Sequence, residues 1–254
     1  MSAERGTELR LTALLLLGGA VAAWLVTVQR MHGMDMGPGT DLGGLGWFAG
    51  VWAVMMAAMM LPSLVPMAGA YAGEARARPE AGEPGALVQT TLFVGGYLVT
   101  WVLVGLAAWA LVTTVDSLDV SFLAWHDGGR YLAGAVIAAA GLYELTPLKA
   151  SCLRRCRDYG LLVADWRGGP LGAARMGLAQ GAYCIGTSWA LMAALFALGV
   201  MSIAWMVVIA VVIAMEKLLP RASVTSRVAA ALMLALAAGV ALVPEHVPGL
   251  TIPM

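Results

Sequence analysis

Between Leu9 and Val243 the chain divides into seven long apolar runs, roughly 9–29, 46–68, 88–114, 129–146, 172–198, 201–219 and 226–243. A helix needs about 20 mostly apolar residues to cross a bilayer, and each run comes near that length. No polar stretch between the runs is long enough to fold as a soluble domain. The expected fold is therefore all-α, a single transmembrane helical domain over residues 1–254 with about seven spans. Only 12% of the residues are charged, against about 25% in a soluble domain. The first run follows Arg5 and Arg10 and continues through Trp24 to Val28, so it reads as a signal anchor rather than a cleaved peptide.

Orientation follows from the basic residues. With seven spans, one set of loops collects Arg5, Arg10, Arg76, Arg78, Lys149, Arg154, Arg155, Arg157, Arg167, Arg175, Lys217, Arg221 and Arg227, and the other set only Arg30 and Arg130. Thirteen of the 15 cations on one side place the N-terminus in the cytoplasm and the C-terminus outside. A bacterial cytoplasmic (inner) membrane is the expected location. Net charge is zero, which gives no electrostatic basis for nucleic acid as a partner. The cytoplasmic stretch 70–87 reads as a solvated linker, and 147–171, the most basic excursion, as a surface helix along lipid headgroups.

The second run, Trp47 to Met67, carries Met55, Met56, Met59 and Met60. In a helix these four thioethers cover an arc of roughly 140°. Thioether sulfur is soft and uncharged, so it can lie in hydrocarbon and still bind Cu(I); the alternative is that methionine merely fills an irregular interface. Pro62 and Pro66 free the carbonyls of Ala58 and Pro62. Such carbonyls are tolerated at membrane depth only where protein or a watery cavity covers them. The methionine face is accordingly expected to point into the bundle, toward helix five near Cys184.

Other soft ligands separate by side. Met31, His32, Met34 and Met36 fall within six residues of an outer loop, beside Asp35 and Asp41, and suit copper capture in either valence. Cys152 and Cys156 fall on the cytoplasmic side at i, i+4 spacing, flanked by Arg154, Arg155 and Arg157. Neighbouring positive charge lowers a thiol pKa and favours the metal-binding thiolate. Inside span five, Gly177 and Gly181 form a small-residue face for close helix approach. Gln180, Cys184, Ser188 and Met192 follow at i+4 steps, as a packed seam or the wall of an ion path. Glu144 and Glu216 approach the cytoplasmic ends of spans four and six, with Lys149 and Lys217 as available partners.

Three stretches together resemble a bacterial family of predicted metal-binding integral membrane proteins, domain-of-unknown-function family 2182. They are Trp52-Ala-Val-Met-Met-Ala-Ala-Met-Met-Leu-Pro62; Leu142-Tyr-Glu-Leu-Thr-Pro-Leu-Lys149 with Cys152 and Cys156; and Tyr183-Cys184-Ile-Gly running through Trp189-Ala-Leu-Met192 and Gly199-Val-Met201 to Glu216-Lys217-Leu-Leu-Pro220. The resemblance covers nearly the whole chain and implies a polytopic helical fold with a metal site. Thr187 and Ser188 stand where relatives often carry cysteines, which implies an altered site around Cys184. The external methionines and the M-x3-M step are also similar in kind to eukaryotic Ctr-type copper transporters, although span count and motif order differ.

These readings converge on a metal-binding membrane protein that handles or transports copper. Met31, His32, Met34 and Met36 would capture it outside, Met55, Met56, Met59 and Met60 would carry it within the span, and Cys184, Cys152 and Cys156 would receive it further in. The expected partners are the lipid bilayer and a metallochaperone or subunits of a membrane complex. The competing reading is a non-catalytic auxiliary or assembly subunit of a larger membrane enzyme. An enzyme is not expected, since topology keeps His32, His126 and His246 outside and offers no Ser/His/Asp set or H-E-x-x-H motif.

Overall fold

The computed structural model describes residues 2–31, 43–78, 85–117, 128–199, 202–244 and 247. These residues form α1 (Ser2–Met31), α2 (Leu45–Ala77), α3 (Ala86–Ser117), α4 (Arg130–Tyr143), α5 (Pro147–Arg157), α6 (Tyr159–Ala164), α7 (Gly169–Leu198), α8 (Ile203–Leu218) and α9 (Ala222–Leu242). The architecture is all-α among the described residues, as the apolar periodicity implied. Helix α2 lies between α1 and α3 and also meets α8; α3 runs along α7, and α4 along both α9 and α7.

Five helices, α1, α2, α3, α7 and α9, contain segments long and apolar enough to cross a bilayer. Helix α4 joins them if it is counted with α5, from which it is bent by 62°. Helix α8 has 16 residues, or about 24 Å at 1.5 Å per residue, short of a 30 Å hydrocarbon core. The described helices thus give five or six candidate spans where the apolar runs suggested seven. Large apolar side chains face outward along the long helices, among them Leu14 and Leu25 of α1, Leu103 and Leu111 of α3, and Leu232 of α9. A bundle that exposes so much hydrocarbon is compatible with lipid around it.

Helix ends differ from the runs for local reasons. Helix α2 extends to Ala77, into the expected linker, because Ala, Glu and Arg are good helix formers and Glu74 pairs with Arg78 at 2.6 Å. Helix α4 stops at Tyr143, and Thr146 starts α5: its side chain accepts from the Lys149 N–H, with Pro147 in the first turn. Thr at the cap and Pro at N1 form a strong helix start. Asp158 closes α5 and caps α6, accepting from the Leu161 N–H. The stretch 147–171 is therefore not one helix lying along headgroups. It is α5, a short α6 and the first residues of α7, and α5 packs against α7.

Close approach of α3 and α7 depends on glycine. A Cβ at Gly177 would strike the Phe93 backbone, one at Gly181 would meet the Thr100 side chain and Tyr97 carbonyl, and one at Gly96 would strike the Ala174 backbone. The small-residue face expected on this helix is thus turned onto α3. Gly105 of α3 leaves room for the Trp52 indole, whose N–H donates to the Trp101 carbonyl at 2.8 Å. Trp52 also lies against Phe48 and Phe196, which carries the interior from α2 across to α7.

Candidate metal-handling site

The site is built around the soft side chains of α2 and α7. Met55, Met56, Met59 and Met60 are all buried, none more than 1% exposed. Their arc faces the interior and not lipid. Helix α2 stays continuous through Pro62 and Pro66, and the Ser63 hydroxyl donates to the Met60 carbonyl at 2.9 Å. Ser63 thus adds a polar group to the same buried turn that carries the sulfurs.

From Ser63 a polar chain crosses to α7. Lys217 of α8 reaches Ser63 Oγ at 3.4 Å and donates to Cys184 Sγ at 2.6 Å. On the other side, the Tyr97 hydroxyl of α3 lies 3.0 Å from the same sulfur. Cys184 is thus held between an ammonium and a phenol. The hydrogen-bonded link between the methionine turn and Cys184 runs through Lys217 of α8. The sequence named Lys217 only as a partner for a carboxylate; its role beside a thiol was not visible, because nothing in the chain indicates which face of α8 meets Cys184.

The stripe Gln180, Cys184, Ser188 and Met192 is buried throughout. Thr187 donates to the Cys184 carbonyl at 2.7 Å and sits 3.1 Å from Ser188 Oγ. The Thr187 and Ser188 hydroxyls therefore lie beside Cys184 and bond to each other and to backbone.

Cys152 and Cys156 also turn toward α7. The Gln180 amide donates to the Cys156 carbonyl at 3.2 Å, and Cys152 fits over Gly186, where a Cβ would approach its sulfur to 2.6 Å. Helix geometry thus places both thiols on one face, as i, i+4 spacing predicts. The flanking arginines act elsewhere: Arg155 donates to the Tyr183 hydroxyl, and Arg157 to the Glu216 and Leu219 carbonyls. Cys156 is buried and Cys152 partly so. The arginines are drawn to acceptors instead of lying over the sulfurs, which corrects the expectation of a thiol pair activated by its neighbours. All three cysteines are free.

Met31 also corrects its reading. It is the last residue of α1 and fully buried, because the helix runs on beyond the expected boundary and turns this side chain into the bundle. His32, Met34 and Met36 lie outside the described residues, as do His126 and His246. The sequence did not single out Met67, Met176 or Met206, which are buried in the same core. Among the described residues, no three His, Cys, Asp or Glu side chains converge as a metal-ligand group. The soft groups in the interior are chiefly thioethers, with Cys184 as the buried thiol tied to a cation.

The second polar centre is ionic. Lys149 of α5 is 1% exposed. It bonds Glu144 at the end of α4 and both oxygens of Glu216 on α8, at 2.7 and 2.8 Å. Ser226 of α9 donates to Glu216 Oε1 at 2.7 Å. One lysine thus takes both carboxylates, while the other candidate partner, Lys217, goes to sulfur. The α4–α5 turn explains this, since it folds Lys149 back beneath Glu144 and toward α8.

A family described as PpoB2, copper chaperone, matches residues 49–241. The chain belongs to this copper-chaperone family. The match takes in the methionine turn, the ionic centre, all three cysteines and Lys217. It supports a copper-related family, though not under the unknown-function name to which the motifs were likened. No curated protein and no solved structure matches the chain.

Proposed function

We propose that this copper-chaperone family member holds Cu(I) within the bilayer and passes it to a membrane partner. The observation that carries this reading is the polar chain Ser63–Lys217–Cys184, which links the turn of α2 that bears the methionines to the thiol of α7 inside the segment matched by the family. Met55, Met56, Met59 and Met60 would offer weak, exchangeable soft coordination. Cys184 would be the stronger ligand. The Lys217 ammonium, 2.6 Å from Cys184 Sγ, would occupy the sulfur before the ion arrives and give way when Cu(I) replaces it. Cys156 lies along the same stripe of α7, where Gln180 bonds its carbonyl, and with Cys152 would take the ion next, on its way to the acceptor. His32, Met34 and Met36 remain the capture loop of this reading, with Met31 at the buried end of α1 beside them.

The topology we attach to it has seven crossings, an N-terminus in the cytoplasm of a bacterial cell and a C-terminus outside. The uneven division of Lys and Arg supports it, and α8 with its flanking turns would supply the short sixth crossing. The protein carries out no reaction of its own. A chaperone hands its ion over, so the family description favours delivery to a partner over free transport. This brings the auxiliary-subunit reading within the same proposal.

The test is copper content. The full chain is purified after growth with copper, and metal per protein is measured by mass spectrometry for the wild type, a Met55→Leu/Met59→Leu variant and Cys184→Ser. Copper in the wild type that falls in both variants supports the site. Equal copper in all three sinks it, and no copper in any of them sinks the function. Co-purification of a stoichiometric partner after mild solubilisation would identify the recipient.

A further inference from the structure

A wide cavity lies away from the sulfur chain. It has a volume of about 800 Å³ and opens between the α4–α5 turn, α5, the start of α6 and the start of α9. Its walls carry Arg154, Arg157 and Arg227, with Lys149, Glu144 and Asp158 also lining it. The charge of Lys149 is taken up by Glu144 and Glu216. Asp158 is tied to the Leu161 N–H at 3.2 Å. Three guanidiniums therefore face one lining carboxylate, Asp158, that no ion pair takes up, and the cavity is cationic.

The three arginines are arranged differently. Arg157 is fixed by the carbonyls of Glu216 and Leu219 at 2.8 and 2.6 Å, so its position is built into the α8–α9 corner. Arg154 reaches only Ser151 Oγ, at 3.0 Å. Arg227 has no bonded partner among the described residues. The Glu144 side chain is fully buried against Lys149, so it leaves the guanidiniums as the groups the cavity offers. A ligand that satisfied this cavity would bring an anion for them. Around it, Leu145, Leu148, Leu219 and Val224 stand exposed, on the α4–α5 turn, α5, the end of α8 and α9. They offer apolar surface for hydrocarbon directly beside the charges.

We infer that this cavity is a binding site for an anionic glycerophospholipid headgroup. The phosphodiester lies against Arg154, Arg157 and Arg227, and the acyl chains descend over the leucine-rich rim. Guanidiniums match phosphate oxygens through paired N–H donors. Basic pockets between membrane helices take lipid headgroups by the same chemistry. This inference does not depend on copper.

The test uses the full chain, stripped of lipid in detergent and titrated with phosphatidylglycerol, with phosphatidylcholine of the same acyl chains, or with inorganic phosphate. Native mass spectrometry counts bound lipid, and thermal unfolding supplies a second measurement. One phosphatidylglycerol should be retained in preference to phosphatidylcholine. Each arginine contact near the headgroups is worth about fivefold, so Arg154→Gln with Arg227→Gln should weaken retention roughly thirtyfold. Both substitutions spare the backbone contacts of Arg157, so the fold and the copper content should be unchanged. Equal retention of the two lipids, or unchanged retention in the double variant, overturns the proposal. It also fails if inorganic phosphate alone raises the unfolding temperature as much as phosphatidylglycerol, because the site would then take a small free anion.

Discussion

Two polar centres are buried in this bundle, and they are built on opposite principles. At the junction of α4, α5, α8 and α9, Lys149 is enclosed by Glu144 and Glu216, with Ser226 completing the shell. Hard charges in a low-dielectric interior must be matched by opposite charge and by hydrogen bonds, because an uncompensated ion there costs several kcal/mol. Such a centre is difficult to open. Between α2, α3, α7 and α8 the polar atoms are sulfurs, one ammonium and hydroxyls, and the thioethers need no partner at all. A sulfur-lined interior can gain or lose a soft cation while the helices stay packed. The comparison suggests that the ionic junction holds the fold and that the sulfur seam is where exchange can occur.

The largest effect should separate these roles. Lys149→Met leaves Glu144 and Glu216 facing each other without a cation. Breaking a buried pair in this way costs about 3–5 kcal/mol, so the variant should express poorly and unfold early in a detergent-based thermal assay. Survival of Lys149→Met with wild-type stability would mean that the junction does not hold the fold. Gly177→Ala comes next. A Cβ there meets the Phe93 backbone, and overpacking of this kind costs about 1–3 kcal/mol. Lower thermal stability, with copper still bound at the lower temperatures where the protein remains folded, is the expected outcome.

The sulfur seam should respond in the opposite way. Met55→Leu/Met59→Leu conserves volume, so stability should change by less than about 1.5 kcal/mol per site, while bound copper should drop clearly. A variant that loses stability and keeps its copper would reverse the assignment of the two centres. The smallest and sharpest effect concerns Lys217. Lys217→Met removes the cation that competes for Cys184 Sγ. Copper should still bind, but release to a chelator should be slower by about tenfold, or roughly 1.4 kcal/mol. Release at the wild-type rate would show that Lys217 packs against the site without taking part in exchange.

Legibility differed between the two centres. The methionine turn could be read in advance because a helix has a fixed period: Met55, Met56, Met59 and Met60 had to share a face, and two prolines indicated that the face was covered. The structure buries all four. The stripe from Gln180 to Met192 and the glycine face of the same helix were legible for the same reason. The partners of Cys184 were not. Tyr97, Ser63 and Lys217 come from three other helices, and their meeting depends on how α2, α3 and α8 rotate against α7. The setting of Cys152 and Cys156 was illegible for a related reason. Three arginines close in sequence were expected to act on the thiols, but their long side chains bond a serine hydroxyl, a phenol and carbonyls. Met31 was taken for a loop ligand because helix ends are set by a few local contacts that an apolar average does not resolve.

By itself, the sequence determined that this chain is an apolar all-α bundle, which faces are soft, and where two carboxylates and two lysines enter the interior. Tertiary structure alone decided which lysine belongs to which centre. The α4–α5 turn, set by Thr146 and Pro147, delivers Lys149 to both glutamates, which leaves Lys217 for Cys184. That choice depends on the angle between helices, to which side-chain periodicity along any one helix is blind.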